Sequence, residues 1–127
     1  MATPSETVTA FLAMWEKPGG FAEAVRRYFT PDTVWENVGM SKTTGPEEAA
    51  GLFANMGAGG GPVAMRVDNL AVAETGGKVL TERLDHVLGP DGQPAVTIPV
   101  MGIFEVEGGR ITSWRDYFDT AGFAQQG

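Results

Sequence analysis

Along this chain the spacing of apolar residues changes once, from helical intervals to strict alternation, and that change limits the possible folds more than any other feature. Val8, Phe11, Leu12 and Trp15 recur three and four residues apart behind Thr3-Pro4-Ser5-Glu6. That opening offers an N-cap Thr, a Pro at the first helical position and a Glu three residues past the cap, and so predicts an amphipathic helix ending near Pro18-Gly19-Gly20. Phe21, Ala24, Val25, Tyr28 and Phe29 predict a second helix that Thr30-Pro31-Asp32 breaks, and residues 33–38 alternate as a short strand. Thr44-Gly45-Pro46-Glu47, followed by Ala49, Leu52, Phe53 and Met56 on one stripe, predicts a third helix running out in Gly57, Gly59, Gly60 and Gly61.

Beyond those glycines the period becomes two. Strands are predicted at residues 63–72, 79–88, 95–106 and 110–118, separated by the hairpin chemistry of Thr75-Gly76-Gly77, Pro90-Asp91-Gly92 and Glu107-Gly108-Gly109. Helices first and an antiparallel meander afterwards specify an α+β fold. The N-terminal helices pack into a curved, mostly antiparallel sheet, which forms a cone with an internal pocket. The 127 residues are expected to make one domain over 1–127, since a chain of this size buries roughly two thirds of its unfolded surface.

Composition removes whole classes of function. A formal charge of -7 with only 9 Lys+Arg offers no cationic surface for a phosphate backbone, so neither nucleic acid nor an anionic membrane is an expected partner. The absence of cysteine and the single histidine exclude disulfides, thiolate catalysis and Cys- or His-rich zinc sites. No metal and no cofactor are expected. Residues 1–6 are polar, and the longest apolar stretch, 95–104, is half a membrane span and contains Pro99, which makes a cytoplasmic protein the default.

Alternation over residues 79–88 puts Thr81, Arg83, Asp85 and Val87 on one face and Leu80, Leu84 and Leu88 on the other with Glu82 and His86. From spacing alone, a solvated Arg83–Asp85 pair with the leucines facing the core is slightly favoured. In the last strand Thr112, Trp114, Asp116 and Phe118 share a face, and a carboxylate between aromatic rings needs a partner. Trp35 and Asn37 share a face of the short strand; each alone is more often structural. His86 is given no role, Glu47 and Glu48 are read as helix N-terminal charges, and Arg26 and Arg27 as a solvated helix face.

Thr81-Glu82-Arg83-Leu84-Asp85 and, about thirty residues on, Trp114-Arg115-Asp116-Tyr117-Phe118-Asp119 resemble the Arg-x-Asp and Trp-Arg-Asp-Tyr-Phe-Asp segments of limonene-1,2-epoxide hydrolases. The order of helices and strands resembles that family along nearly the whole chain. The resemblance implies the cone-shaped fold shared with nuclear transport factor 2, ketosteroid isomerase and the polyketide cyclases. It also implies cofactor-independent opening of a small hydrophobic or alicyclic epoxide by water, giving a vicinal diol. Asp116 would deprotonate the water, Asp85 would protonate the epoxide oxygen and Arg83 would bridge them. Asn37 matches the family's water-holding Asn; Trp35 stands where familiar members carry Tyr, and as a donor only it would leave the water's protons to Asp116 and the Asn37 carbonyl. For Asp85 to hold a proton near neutrality its pKa must lie well above the reference of about 3.9, through burial and the Asp116 charge. Strand face and resemblance place Val87, Ile98, Val100, Phe118 and Phe123 around an apolar substrate. The apolar stretch 95–104 calls for cover on both faces, and the family's dimers make a homodimer the expectation. The alternatives are an isomerase or cyclase of the same fold, or a non-catalytic ligand-binding or dimerisation module, in which Asp85 and Asp116 would titrate normally and independently.

Overall fold

The computed structural model describes residues 2–56 and 64–121. Its elements follow the order α1 (Pro4–Ala13), a 3-10 turn (Met14–Glu16), α2 (Gly20–Tyr28), β1 (Phe29–Asn37), β2 (Ser41–Thr44), α3 (Gly45–Ala54), β3 (Ala64–Thr75), β4 (Lys78–Leu88), β5 (Pro94–Glu107) and β6 (Arg110–Tyr117). The strands form a curved, unclosed sheet in the order β2-β1-β6-β5-β4-β3. All neighbours are antiparallel except β1 and β6, which run parallel. The helices fill the concave side, so the fold class is the expected α+β cone. Among the described residues no helix is long and apolar enough to cross a membrane.

Local chemistry explains the starts of α1 and α3 and the β3–β4 hairpin. Thr3 Oγ1 accepts from the Glu6 N–H at 3.1 Å and the Glu6 carboxylate accepts from the Thr3 N–H at 2.8 Å, a complete capping box. Thr44 caps α3 differently from expectation. Its side chain makes no cap bond; Glu48 reaches back to the Thr44 N–H at 2.9 Å instead. The β3–β4 turn is made by Gly76 and Gly77 at φ 54° and 82°, the left-handed pair that a tight twisted hairpin requires.

The break at Thr30-Pro31-Asp32 lies inside a strand, because β1 begins at Phe29. Its pairing with β6 skips between Phe29 and Val34, and the irregularity absorbs Pro31, which has no N–H to give a ladder. Buried Thr33 secures the detour: its hydroxyl accepts from the Thr30 N–H at 2.7 Å and donates to the Ile111 carbonyl at 2.6 Å. Strand β2, a polar four-residue segment with no alternation to reveal it, exists because β1 offers it an edge.

Aromatic rings dominate the core. Trp114 lies between Trp35 and Phe104, stacked at centroid distances of 4.6 Å and 5.4 Å. Phe11 of α1 meets its edge at 5.5 Å. Such pairs are worth about 0.5–1.5 kcal/mol each beyond the area they bury, and they fix the Trp114 indole from both faces.

Candidate active site

Strand β4 turns Val79, Thr81, Arg83 and Asp85 inward and leaves Leu80 exposed and Leu84 half-buried. The spacing-based preference for leucines in the core is thus reversed for Leu80 and Leu84, while Leu88, beyond a shift in the β4–β5 register, is buried. The reason is tertiary: the inward face is claimed by two partners for Arg83, and the outward leucines belong to a broader apolar surface. Alternation also slips in β6, where Ile111 is buried and Thr112 only half-buried, because the β5–β6 register shifts between Glu105 and Val106. Trp114 and Asp116, beyond the slip, point inward as expected.

Arg83 is fully buried, and an unpaired charge there would cost several kcal/mol. Two carboxylates compensate it. Arg83 Nε and Nη2 donate to the two Asp85 oxygens at 3.1 Å and 2.8 Å, while Nη1 and Nη2 donate to Asp116 Oδ1 and Oδ2 at 3.0 Å and 2.9 Å. Nη1 also donates to Thr81 Oγ1 at 3.2 Å. Burial works against the Arg83 charge, but Asp116 and Asp85 outweigh it and raise its pKa, so the guanidinium keeps its proton. With both aspartates ionised the trio carries one net negative charge; a single proton neutralises it. Burial pushes the Asp85 pKa up, Arg83 pulls it down, and the Asp116 charge adds to the rise.

Asp116 is held from a second side. The Trp114 indole N–H donates to its Oδ1 at 2.7 Å, so Oδ1 receives two donors and Oδ2 one from these partners. The parallel β1–β6 pairing sets Trp35 beside Trp114 and Asn37 beside Asp116. Asn37 is buried, and its Nδ2 donates to Ser41 Oγ of β2 at 3.0 Å, which fixes the amide plane. Among the described residues the buried Trp35 indole N–H has no partner, and neither has that of Trp15. An unsatisfied buried donor costs about 1–3 kcal/mol, so each calls for an explanation.

These groups border a cavity of about 380 Å³, counted to its open mouth. Asn37, Asp85 and Asp116 supply its polar side, and Trp15, Trp35, Phe53, Met65 and others make the rest apolar. Ile98, Val100 and Phe118 line it as expected. Val87 does not: one pair beyond Asp85 along β4, it packs against the aromatic core instead. Phe123 lies outside the described residues.

Sequence reasoning missed several contributors. Trp114 was readable as sharing a strand face with Asp116, but not as its donor. Gly102, opposite Thr81 on β4 and Asp116 on β6, is a glycine in the middle of an apolar strand, a known mark of close approach. A Cβ there would stand 2.5 Å from both Arg83 Nη1 and Asp116 Oδ1. Ser41 and Trp15 carried no signal, since Trp15 sits at core spacing and Ser41 in a polar turn.

Residues 2–126 match the family model of the limonene-1,2-epoxide hydrolase catalytic domain. Epoxide hydrolase EphG of Mycobacterium tuberculosis is 44% identical over 89 residues, 69% of this chain; the chain spans only 56% of that relative's length. A solved M. tuberculosis LEH-like epoxide hydrolase superposes with a TM-score of 0.73 at 34% identity, covering 92% of this chain and 79% of that one. A putative SnoaL-like polyketide cyclase from Jannaschia sp. gives the same TM-score, 0.73, at 20% identity, covering 96% of this chain and 89% of that one, and shares the fold alone.

Proposed function

This chain belongs to the limonene-1,2-epoxide hydrolase family, and from that premise we propose that it is a cofactor-independent epoxide hydrolase converting a hydrophobic or alicyclic epoxide to a vicinal diol in one step. The observation that carries this reading is the pair of aspartates on one buried guanidinium at the edge of an apolar cavity. Epoxide opening needs a base for the attacking water and an acid for the leaving oxygen at once, and environments that separate two carboxylate pKa values supply both.

In this mechanism Asp116 Oδ2, the oxygen with fewer donors on it, takes a proton from a water held by Asn37 and the Trp35 N–H. The water oxygen bonds to a ring carbon, the carbon–oxygen bond of the ring breaks, and Asp85 gives its proton to the released oxygen. Asp116 is left protonated and Asp85 ionised, and transfer of one proton between them through water restores the start. Arg83 moves no proton; its charge holds both carboxylates in place. The guanidinium shared by both carboxylates joins them into one buried cluster, which supports this reading over a non-catalytic binding module. A homodimer, joined through the outer face of the sheet, completes the proposal.

A single turnover with excess enzyme in heavy-oxygen water tests the step, with chelator present throughout. Label in the first-turnover diol is expected. Unlabelled diol with an ester trapped on Asp116 would mean direct carboxylate attack, and turnover restored only by a divalent metal would refute the mechanism.

A further inference from the structure

Two side chains lining the cavity end in buried indole N–H groups that find no hydrogen-bond partner among the described residues, those of Trp35 and Trp15. Water-holding accounts for Trp35. Nothing in the proposed reaction uses Trp15.

The Trp15 ring cannot turn away to find water. It is 1% exposed and packed by Phe11, Phe21 and Trp114 at centroid distances of 5.5 Å, 5.3 Å and 5.4 Å, with the Arg83 guanidinium 5.9 Å over its face. An indole N–H only donates, so whatever satisfies it must bring an acceptor. Phe21, Phe53, Met65, Ile98 and Val100, which make up much of the remaining wall, offer no oxygen. No described side chain reaches this donor, so its acceptor is left to whatever fills the cavity, a water in the resting site or an oxygen of the bound molecule.

We infer that Trp15 Nε1 is a substrate-recognition donor, and that the preferred epoxide carries a second oxygen acceptor, an ether, carbonyl or hydroxyl oxygen, apart from the reacting ring. The inference rests on the epoxide reading above. A hydrocarbon epoxide fills the same space but leaves the donor unpaired in the complex, and sites with a buried donor discriminate against analogues that lack its partner.

The test uses a set of terminal epoxides of one chain length, 1,2-epoxyoctane and its counterparts in which a single ether oxygen replaces each methylene from C4 to C7 in turn, butyl glycidyl ether among them. For at least one oxygen position, kcat/KM of the wild-type enzyme is expected to exceed that of 1,2-epoxyoctane by roughly three- to tenfold, the fold-change of one neutral hydrogen bond. In Trp15→Phe that ratio should fall toward one. A second readout needs neither turnover nor the variant's folding. The three tryptophans give three indole N–H resonances, and the Trp15 signal in the wild-type protein should move downfield on titration with the diol that carries the favoured ether oxygen, and not with the all-carbon diol. No oxygen preference at any position, an equal loss across the set in Trp15→Phe, or a Trp15 resonance that no diol moves would overturn the inference. If the wild-type enzyme opened none of these epoxides the proposed function would fail instead, while the diol titration would still decide what Trp15 binds.

Discussion

Asp85 shows how much one residue's surroundings determine. Burial raises its pKa, Arg83 opposes the rise and Asp116 supports it, so its protonated form persists above the usual carboxylate range. In the proposed acid role Asp85 acts only while protonated, and kcat should fall as pH climbs through that raised value. The sign for stability is the same. Between the ordinary carboxylate pKa and the raised one the folded state holds a proton the unfolded state has released, so stability declines as pH increases across that window. Asp85→Asn should flatten this part of a plot of Tm against pH while lowering kcat about a hundred- to ten-thousand-fold. A kcat profile without an alkaline limb in the wild-type enzyme would remove Asp85 from the acid role.

At the scale of elements, the site depends on how closely three strands approach. Strand β5 lies between β4, which carries Arg83 and Asp85, and β6, which carries Asp116. Arg83 reaches across β5 only because Gly102 has no side chain there. Gly102→Ala places a methyl 2.5 Å from both ends of that ion pair, and because both ends are tightly held, neither can simply step aside. The variant should fold, as judged by its near-ultraviolet circular dichroism, with overpacking costing about 1–3 kcal/mol. Its kcat should drop at least tenfold, an estimate for misplaced catalytic groups, with a smaller change in KM. Wild-type kcat in a folded Gly102→Ala enzyme would show that the cluster tolerates displacement and that the contact is incidental. The parallel β1–β6 pairing has a similar consequence, since it alone puts Asn37 beside Asp116.

For the whole molecule, the outer face of the sheet is a feature that no described element covers. Leu70, Leu80, Met101 and Tyr117 are exposed at 57%, 37%, 49% and 49%, and Leu70, Met101 and Tyr117 border a shallow groove with Leu84 and Pro99. Glu82, between Leu80 and Leu84 and opposite Met101, borders the same groove; a largely apolar patch of this type is usually covered, and the proposed cover is a second copy of the chain. Sedimentation should give a dimer for the wild-type protein and a monomer for Leu80→Glu combined with Met101→Lys. A wild-type monomer at micromolar concentration would leave the patch to another partner. The surface also accounts for β4's leucines, which turn outward without leaving the protein's apolar surface altogether.

The α+β class, the three helices, the hairpins and the shared faces of Trp35 with Asn37 and of Trp114 with Asp116 were legible because they follow from local periods of 3.6 and 2 and from capping and glycine chemistry, which neighbouring residues determine. Helix ends and the glycine-rich β3–β4 turn needed no distant contact to be read. Whether Arg83 or Leu84 faces the core was not legible, because both faces of β4 carry plausible occupants and only the arrival of Asp116 from β6 decides between them. The β1 irregularity around Pro31, the slip that buries Ile111, the edge strand β2 and the displacement of Val87 from the cavity share that origin. Each depends on which strand lies alongside. Pairing between segments far apart in sequence is determined by total burial and hydrogen-bond satisfaction over the whole sheet, and no local pattern encodes it.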